Sequence, residues 1–425
     1  MAYFDYDSIF EEALYLYEND TQIKGDKSAV AKFLKHKYAI DKTQNAIRLA
    51  INERLNRHYA DREIIEKNVR LAKQKQRAQD HSRIERKAFR EHARLENALE
   101  GFAEAQLKVY KDHAKALKKI ALKPLLKNTK ATGTGVMQIT DLHGNELVDL
   151  PHNKYDFNVM AKRLRLYVTQ CIDHFKYANV EKVAMLFTGD LLNSDRRLDE
   201  LLNASTNRAK ATSLMRYILI QAILEVRNAG FPITIVGVMG NESRAGKEMP
   251  FSKEGLSDNY DFMILDGLRQ MIELSNISGI EFGSIDKVEE IVEIDGKNWL
   301  MSHDVTKMTS KQDKAQSGIG RYSLQGVQID FMIGGHIHAT QITDISARSA
   351  SLVGSNSYNE NALNLAGKAA QNYYISKNGR RNTTVVDLQD VEGVEGYDIV
   401  PELEAYNAKS VSKLDRGTTV FKVVI

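Results

Sequence analysis

Residues 136–144 read VMQITDLHG: a short apolar run that passes into Asp141, His143 and a glycine. Such a run, bounded by polar residues and Gly, marks a buried strand leading into a loop. Four later segments repeat the pattern: VAMLFTGD at 183–190, ITIVGVMGNES at 233–243, WLMSHD at 299–304 and IDFMIGGHIH at 329–338. Just past the five runs stand Asp141 and His143, Asp190, Asn241, His303, then His336 and His338. Layered α/β folds gather ligands at the carboxyl ends of their strands, so residues far apart in sequence are expected to converge there.

Two divalent cations roughly 3.5–4 Å apart need a bridging carboxylate, the remaining positions being filled by neutral imidazoles, an amide oxygen and water. Asp190 suits the bridge. An oxygen and nitrogen donor set without thiolate favours Mn, Fe or Zn over Ca; Mn is the first choice, with Mg also open. Phosphoester hydrolysis is the chemistry that such a pair performs.

The order D-x-H, G-D, G-N, isolated His and G-H-x-H, spanning about Val136 to Thr340, resembles the calcineurin-like metallophosphoesterase superfamily, and in character its DNA repair exonucleases. The resemblance implies a four-layer α-β-β-α sandwich. It also implies that Asp141, His143 and His338 hold one metal and Asn241, His303 and His336 the other, with Asp190 shared. One position departs: Glu242, followed by Ser243 and Arg244, stands where the superfamily usually has His beside the scissile phosphate. The candidate catalytic residues are therefore Glu242, as an acid or through a contact behind the ligands, Arg244 as a fixed charge for phosphate, and Asn193 to orient the water or phosphate.

The chain has 425 residues, 27% of them charged and 43% hydrophobic, a length that calls for more than one domain. No window is apolar enough to span a bilayer, and the acidic start MAYFDYDSIFEE is unlike a signal peptide, so an intracellular protein is expected. The single cysteine, Cys171, reads as a small buried hydrophobe.

Net charge is uneven. Residues 21–130 carry 28 Lys+Arg against 13 Asp+Glu, whereas residues from 131 onward carry 31 against 37. A basic arm on a mildly acidic body favours a polyanionic partner, double-stranded DNA first. Within the arm, Asp7 to Tyr17, KSAVAKFLKHKY and DKTQNAIRLAINERL read as three helices with the plan of a helix-turn-helix, Asp41 capping the third. On that third helix Lys42, Gln44, Asn45, Arg48 and Asn52 are the candidate nucleic-acid contacts.

From Asp61 to Leu122 there is no proline and Gly101 is the only glycine, which predicts one long helix or a hairpin broken near Gly101. Ile84, Ala88, Leu95, Ala98, Phe102, Ala105 and Val109 form a heptad seam that would either pair two protomers or pack on the catalytic domain. An ATPase partner, as in some relatives, is left open.

The expected fold class is thus α/β, an all-α N-terminal region preceding the sandwich. The expected divisions are 1–58 for the helix-turn-helix, 59–127 for the long helix or coiled coil, 128–135 for a linker and 136–425 for the catalytic domain. Inside the last, 160–177 and 207–230 read as helices between strands, Asp295-Gly296 as a hairpin turn before His303, and Asn378-Gly379 as a second. The loops 243–259 and 306–323, with Lys307, Lys311, Lys314 and Arg321, are candidates for substrate contact. Residues 351–376, SLVGSNSYNENALNLAGKAAQNYYIS, read as too polar for a core strand, and FKVVI at 421–425 as an edge strand.

Overall fold

The computed structural model describes residues 6–120, 122–125, 131–246, 257–303, 312–361 and 367–411, without the side chains of 6–8, 88, 91–107, 109 and 113. The chain divides into two compact units, Met1–Ala105 and Gln106–Ile425.

In the first unit, α1 (Tyr6–Asn19), α2 (Lys27–Lys37) and the start of α3 (Gln44–Leu117) close a small core of Ala13, Leu16, Val30, Ala31, Leu34, Ile47, Ile51 and Leu55. Asp26 caps α2 by accepting from Ser28 N and Ala29 N. The cap expected from Asp41 falls instead to Thr43, whose Oγ1 accepts from Ala46 N at 3.3 Å. α3 runs unbroken through Gly101: one glycine costs a helix only about 1 kcal/mol, and good helix formers surround it. Of the seam, Ile84 is exposed, while the side chains of Ala88, Leu95, Ala98, Phe102, Ala105 and Val109 lie outside the described residues.

The second unit continues with β1 (Thr134–Ile139), β2 (Val148–Leu150), β3 (Asn153–Tyr155), α4 (Phe157–Ala178), β4 (Lys182–Phe187), α5 (Leu198–Leu202), α6 (Arg208–Asn228), β5 (Ile233–Gly237), α7 (Tyr260–Ser275) and β6 (Ile280–Phe282). Then follow β7 (Glu289–Ile294), β8 (Lys297–Ser302), α8 (Gln312–Ser323), β9 (Phe331–Gly334), β10 (Gln341–Ile342), β11 (Ser346–Arg348), α9 (Ser357–Asn361), β12 (Ala370–Lys377), β13 (Arg380–Asp387) and α10 (Val400–Ala405).

One sheet has the order β13-β12-β1-β4-β5-β6 and the other β10-β11-β9-β8-β7. In the first, β1, β4, β5 and β6 are parallel, while β12 lies antiparallel between β1 and β13. Period-two alternation explains why these strands read as continuous apolar runs: both faces are covered. Ala184 and Leu186 of β4 point at the second sheet, meeting Trp299, Met301, Phe331 and Ile333, while Val183, Met185 and Phe187 point at the helices α4, α6 and α7. On the far side of the second sheet, Leu300 and Met332 pack on Ala315 of α8. The layers are helix, sheet, sheet, helix.

The polar stretch at 351–376 corrects the sequence reading, for Ala370–Lys377 is strand β12, paired on both sides inside the sheet. The buried Gln371 amide is satisfied rather than excluded. Gln371 Oε1 accepts from Thr140 N at 3.0 Å, and its Nε2 donates to the carbonyls of Thr140 and Ala350. FKVVI lies outside the described residues. No helix among those described is long and apolar enough to cross a membrane.

Candidate metal centre

All the candidate ligands sit just past the carboxyl ends of strands: Asp141 and His143 after β1, Asp190 after β4, Asn241 after β5, His303 after β8, His336 and His338 after β9. The first four belong to one sheet and the last three to the other, so the two sheets meet at this rim. Their side chains form two groups, Asp141 with His143 and His338, and Asp190 with His303 and His336, the ligand atoms of each lying within 4.8 Å of one another. Asn241 joins the second group, its Oδ1 being 3.1 Å from His303 Nε2.

Backbone conformation marks the same residues. Five of the twelve described non-glycine residues with positive φ are Asp141, His143, Asp190, His336 and His338. Each left-handed residue costs about 1 kcal/mol or more, and strain of this kind persists where a site requires it. Glycines beside the ligands have a steric origin. A Cβ on Gly240 would stand 2.0 Å from Asp190 Oδ1, one on Gly335 2.2 Å from Asp141 Oδ2, and one on Gly189 2.8 Å from the His303 ring. The G-D, G-N and G-H pairs therefore reflect ligand loops pressed against one another, Gly240 and Gly335 against carboxylates and Gly189 against Gly240 and the His303 ring.

Ring orientation is fixed from behind. His303 Nδ1 donates to the Thr188 carbonyl at 2.7 Å, which turns Nε2 toward Asp190 Oδ2 at 2.8 Å. His143 Nδ1 faces Asn193 Oδ1 at 3.2 Å, which turns its Nε2 to within 3.0 Å of His338 Nε2. The Asn359 amide lies 3.3 Å from His338 Nδ1.

Donor spacings test the fit to cations. Bonds of about 2.1 Å place neighbouring donors about 3.0 Å apart on an octahedron and about 3.4 Å on a tetrahedron. The spacings, from 2.8 Å for His303–Asp190 to 3.3 Å for His338–Asp141 and 3.7 Å for His143–Asp141, bracket both without choosing a metal. Charge points the same way. Burial would raise the Asp190 carboxyl, but the His303 charge and hydrogen bond together with the His143 charge outweigh it and hold Asp190 at about 2. Burial opposes charge on the His303 and His143 imidazoles, yet the buried carboxylates beside them raise both to about 10. Burial, then the His303 charge, pushes His336 down to about 4. Protons thus balance the buried carboxylates where cations would.

Several supporting residues carry no sequence signal. Asp261, in the first turn of α7, accepts from the backbone N–H groups of Asp190, Leu191 and Gly240 at 2.9–3.0 Å, tying two ligand loops together. Burial, then the Asp190 charge, raises its carboxyl to about 6. Ser243 Oγ accepts from Leu192 N and donates to Leu192 O.

A cavity of about 480 Å³ opens beside the ligands, lined among others by Asn193, Arg197, Glu200, Glu242 and Tyr358. Arg197 lies over the Tyr358 ring at 4.6 Å. Glu242 receives Arg196 Nη2 at 2.8 Å, whereas Arg244 turns its guanidinium to the Asn241 backbone carbonyl and does not line the cavity. Of the proposed substrate loops, 247–256 and 304–311, with Lys307 and Lys311, lie outside the described residues; Lys314 is exposed and Arg321 pairs with Glu289.

Among the candidate nucleic-acid contacts, Lys42, Asn45 and Arg48 are at the surface, Asn45 accepting from Arg48. Gln44 and Asn52 bond back to α2, through Ser28 and Lys27.

No family model and no curated protein matches the sequence. Solved structures that match include a conserved uncharacterized protein, a predicted phosphoesterase, from Streptococcus pneumoniae, at 10% identity over 62% of this chain and 92% of that one, TM-score 0.26. Vps29 complexed with zinc from Entamoeba histolytica matches at 12% identity over 60% and 99%, TM-score 0.26. A 5'-nucleotidase from Candida albicans matches at 10% identity over 68% and 55%, TM-score 0.27. At such scores the likeness adds no weight beyond the geometry above.

Proposed function

We propose that this chain is a dinuclear-metal phosphoesterase of the calcineurin-like kind, and within that class a phosphodiesterase that cleaves nucleic acid, DNA first. The observation that carries the class is the meeting of Asp141, His143 and His338 with Asp190, His303 and His336 at one rim of the sandwich. Two divalent ions, Mn by preference, supply Lewis acidity toward a phosphoryl group and acidify water when bound. Asp141, His143 and His338 would hold one, Asn241, His303 and His336 the other, with Asp190 shared.

The chain's own contribution is orientation. Thr188, Asn193 and Asn359 orient three of the four imidazoles, those of His303, His143 and His338, and Asp261 holds the Asp190 and Gly240 loops. Arg197, braced on Tyr358 and paired with Glu200, brings a planar cation of the kind that suits phosphate to the cavity wall.

Support for nucleic acid comes from the basic arm. Over residues 70–90, eight Lys and Arg face two Asp and Glu, and Arg83, Arg86 and Arg90 share an exposed side of α3. Lys42, Asn45 and Arg48 add donors on the first unit. Pairing of two copies through 84–109 is part of the same proposal.

A phosphomonoesterase is the second reading, and the acidic lining of the cavity favours it: Glu146 and Asp199 stand there beside Glu200 and Asp149, the last two paired with Arg197 and Lys154. Purified protein with Mn separates the two. Degradation of labelled linear DNA supports the nuclease; hydrolysis of an aryl phosphate monoester alone supports the other; a gel shift without cleavage refutes both. Asp190→Asn and His303→Ala should abolish turnover, and full activity in either would place the chemistry elsewhere.

A further inference from the structure

We infer that Glu242, locked by Arg196, is a positioning residue that sets which end of the Asn241 amide faces the metals; this rests on the two-metal reading above. An asparagine presents an oxygen at one end and an NH2 group at the other, nearly equal in shape, and only the oxygen can bind a cation. Something must decide the flip. Glu242 Oε1 lies 2.5 Å from Asn241 Nδ2, and a carboxylate can only accept, so the amide nitrogen faces Glu242 and Oδ1 is turned to His303 Nε2 at 3.1 Å.

The carboxylate is itself held. Its Oε2 accepts from Arg196 Nη2 at 2.8 Å, and Nη1 of the same guanidinium donates to the Asn241 backbone carbonyl at 2.9 Å. Arg196, Glu242 and Asn241 thereby close a ring around the ligand, and the Glu242 N–H anchors that ring to Asp190 Oδ1 at 2.7 Å. Both ends of the Arg196–Glu242 pair are largely withdrawn from solvent, with side chains 13% and 21% exposed. Both carboxylate oxygens thus accept from groups that hold Asn241 in place, and through them Glu242 acts on the reaction by way of Asn241.

The experiment is manganese binding to the full-length, metal-stripped chain, by calorimetry and by metal content after dialysis, alongside metal-free melting. Wild type should take two ions. Glu242→Ala and Asn241→Ala should each keep one ion at wild-type affinity and weaken the other by about 10- to 100-fold. The double variant should be no weaker than Asn241→Ala, because both changes remove the same ligand. Arg196→Ala should weaken that ion too, and Arg196→Lys should recover most of the loss.

Should Glu242→Ala fold poorly, Glu242→Gln serves instead: its amide must turn an N–H2 toward Asn241 or Arg196, and the same ion should weaken. Two ions at wild-type affinity in Glu242→Ala, or additive losses in the double variant, would overturn the inference, as would lost turnover with metal binding intact. Wild type that binds two ions yet cleaves no phosphoester would sink the proposed function and leave the positioning role standing.

Discussion

Gly240→Ala tests the packing of the ligand loops directly. The new Cβ would stand 2.0 Å from Asp190 Oδ1 and 2.2 Å from Asp190 N, where real Cβ atoms essentially never come within 3.0 Å. One side must retreat by about 1 Å. Asp190 cannot do so freely, since its N–H is bound to Asp261 and its carbonyl accepts from His143 N at 3.0 Å. Overpacking costs about 1–3 kcal/mol, so metal-free melting should fall by roughly 2–10 °C.

The metal centre should suffer far more, because ligand distances tolerate only about 0.2 Å and a 1 Å misplacement costs about 100-fold. Manganese affinity and turnover should therefore drop at least about 100-fold, measured by metal content after dialysis and by initial rates. Gly237→Ala is the matched control. Its Cβ would meet Leu265 Cδ1 at 2.4 Å, the end of a flexible side chain away from the ligands, so it should cost stability and leave metal uptake alone. If Gly240→Ala held two ions at wild-type affinity, the steric account of the glycine-ligand pairs would be wrong.

Left-handed backbone at His336 (φ 76°) predicts that His336→Gly melts above His336→Ala without metal, by the worth of about 1 kcal/mol; equal melting would deny the strain. Metal uptake should be pH-dependent. His143 and His303, raised to about 10, carry protons in the metal-free protein at neutral pH and must release them to bind, so affinity falls as pH is lowered. Binding heats at about pH 7.5 that are independent of the buffer's ionisation enthalpy would contradict this. On the arm, the triple change Arg83→Ala, Arg86→Ala, Arg90→Ala should weaken binding of duplex DNA and reduce its log-log salt slope by about 0.9 for each phosphate no longer neutralised; an unchanged slope would remove this face from the interface.

Much of the sandwich is readable from sequence because its central strands are covered on both faces, leaving β1, β4, β5 and β9 as apolar runs that stop at ligands. Strand β12 is hidden for the opposite reason. Gln371 is buried by virtue of its partners, and no local pattern reveals that a distant Thr140 and Ala350 will satisfy it. Asp261 and Arg196 escape notice similarly: each is a lone polar residue whose role exists only once two loops have met. The first unit is legible in its three apolar stripes, yet Gln44 and Asn52, read as nucleic-acid contacts, turn back to α2, since side chains of this kind bond a neighbouring helix as readily as solvent.

The donors of this centre come from both halves of the sandwich, with Asp141, Asp190 and Asn241 on one sheet and His303, His336 and His338 on the other. Cations held here would act as rivets, tying two slabs together at an edge where the buried charges, left to themselves, push for water. Chelation should consequently loosen that seam as well as silence the chemistry, and metal retention becomes a gauge of whether the slabs have docked.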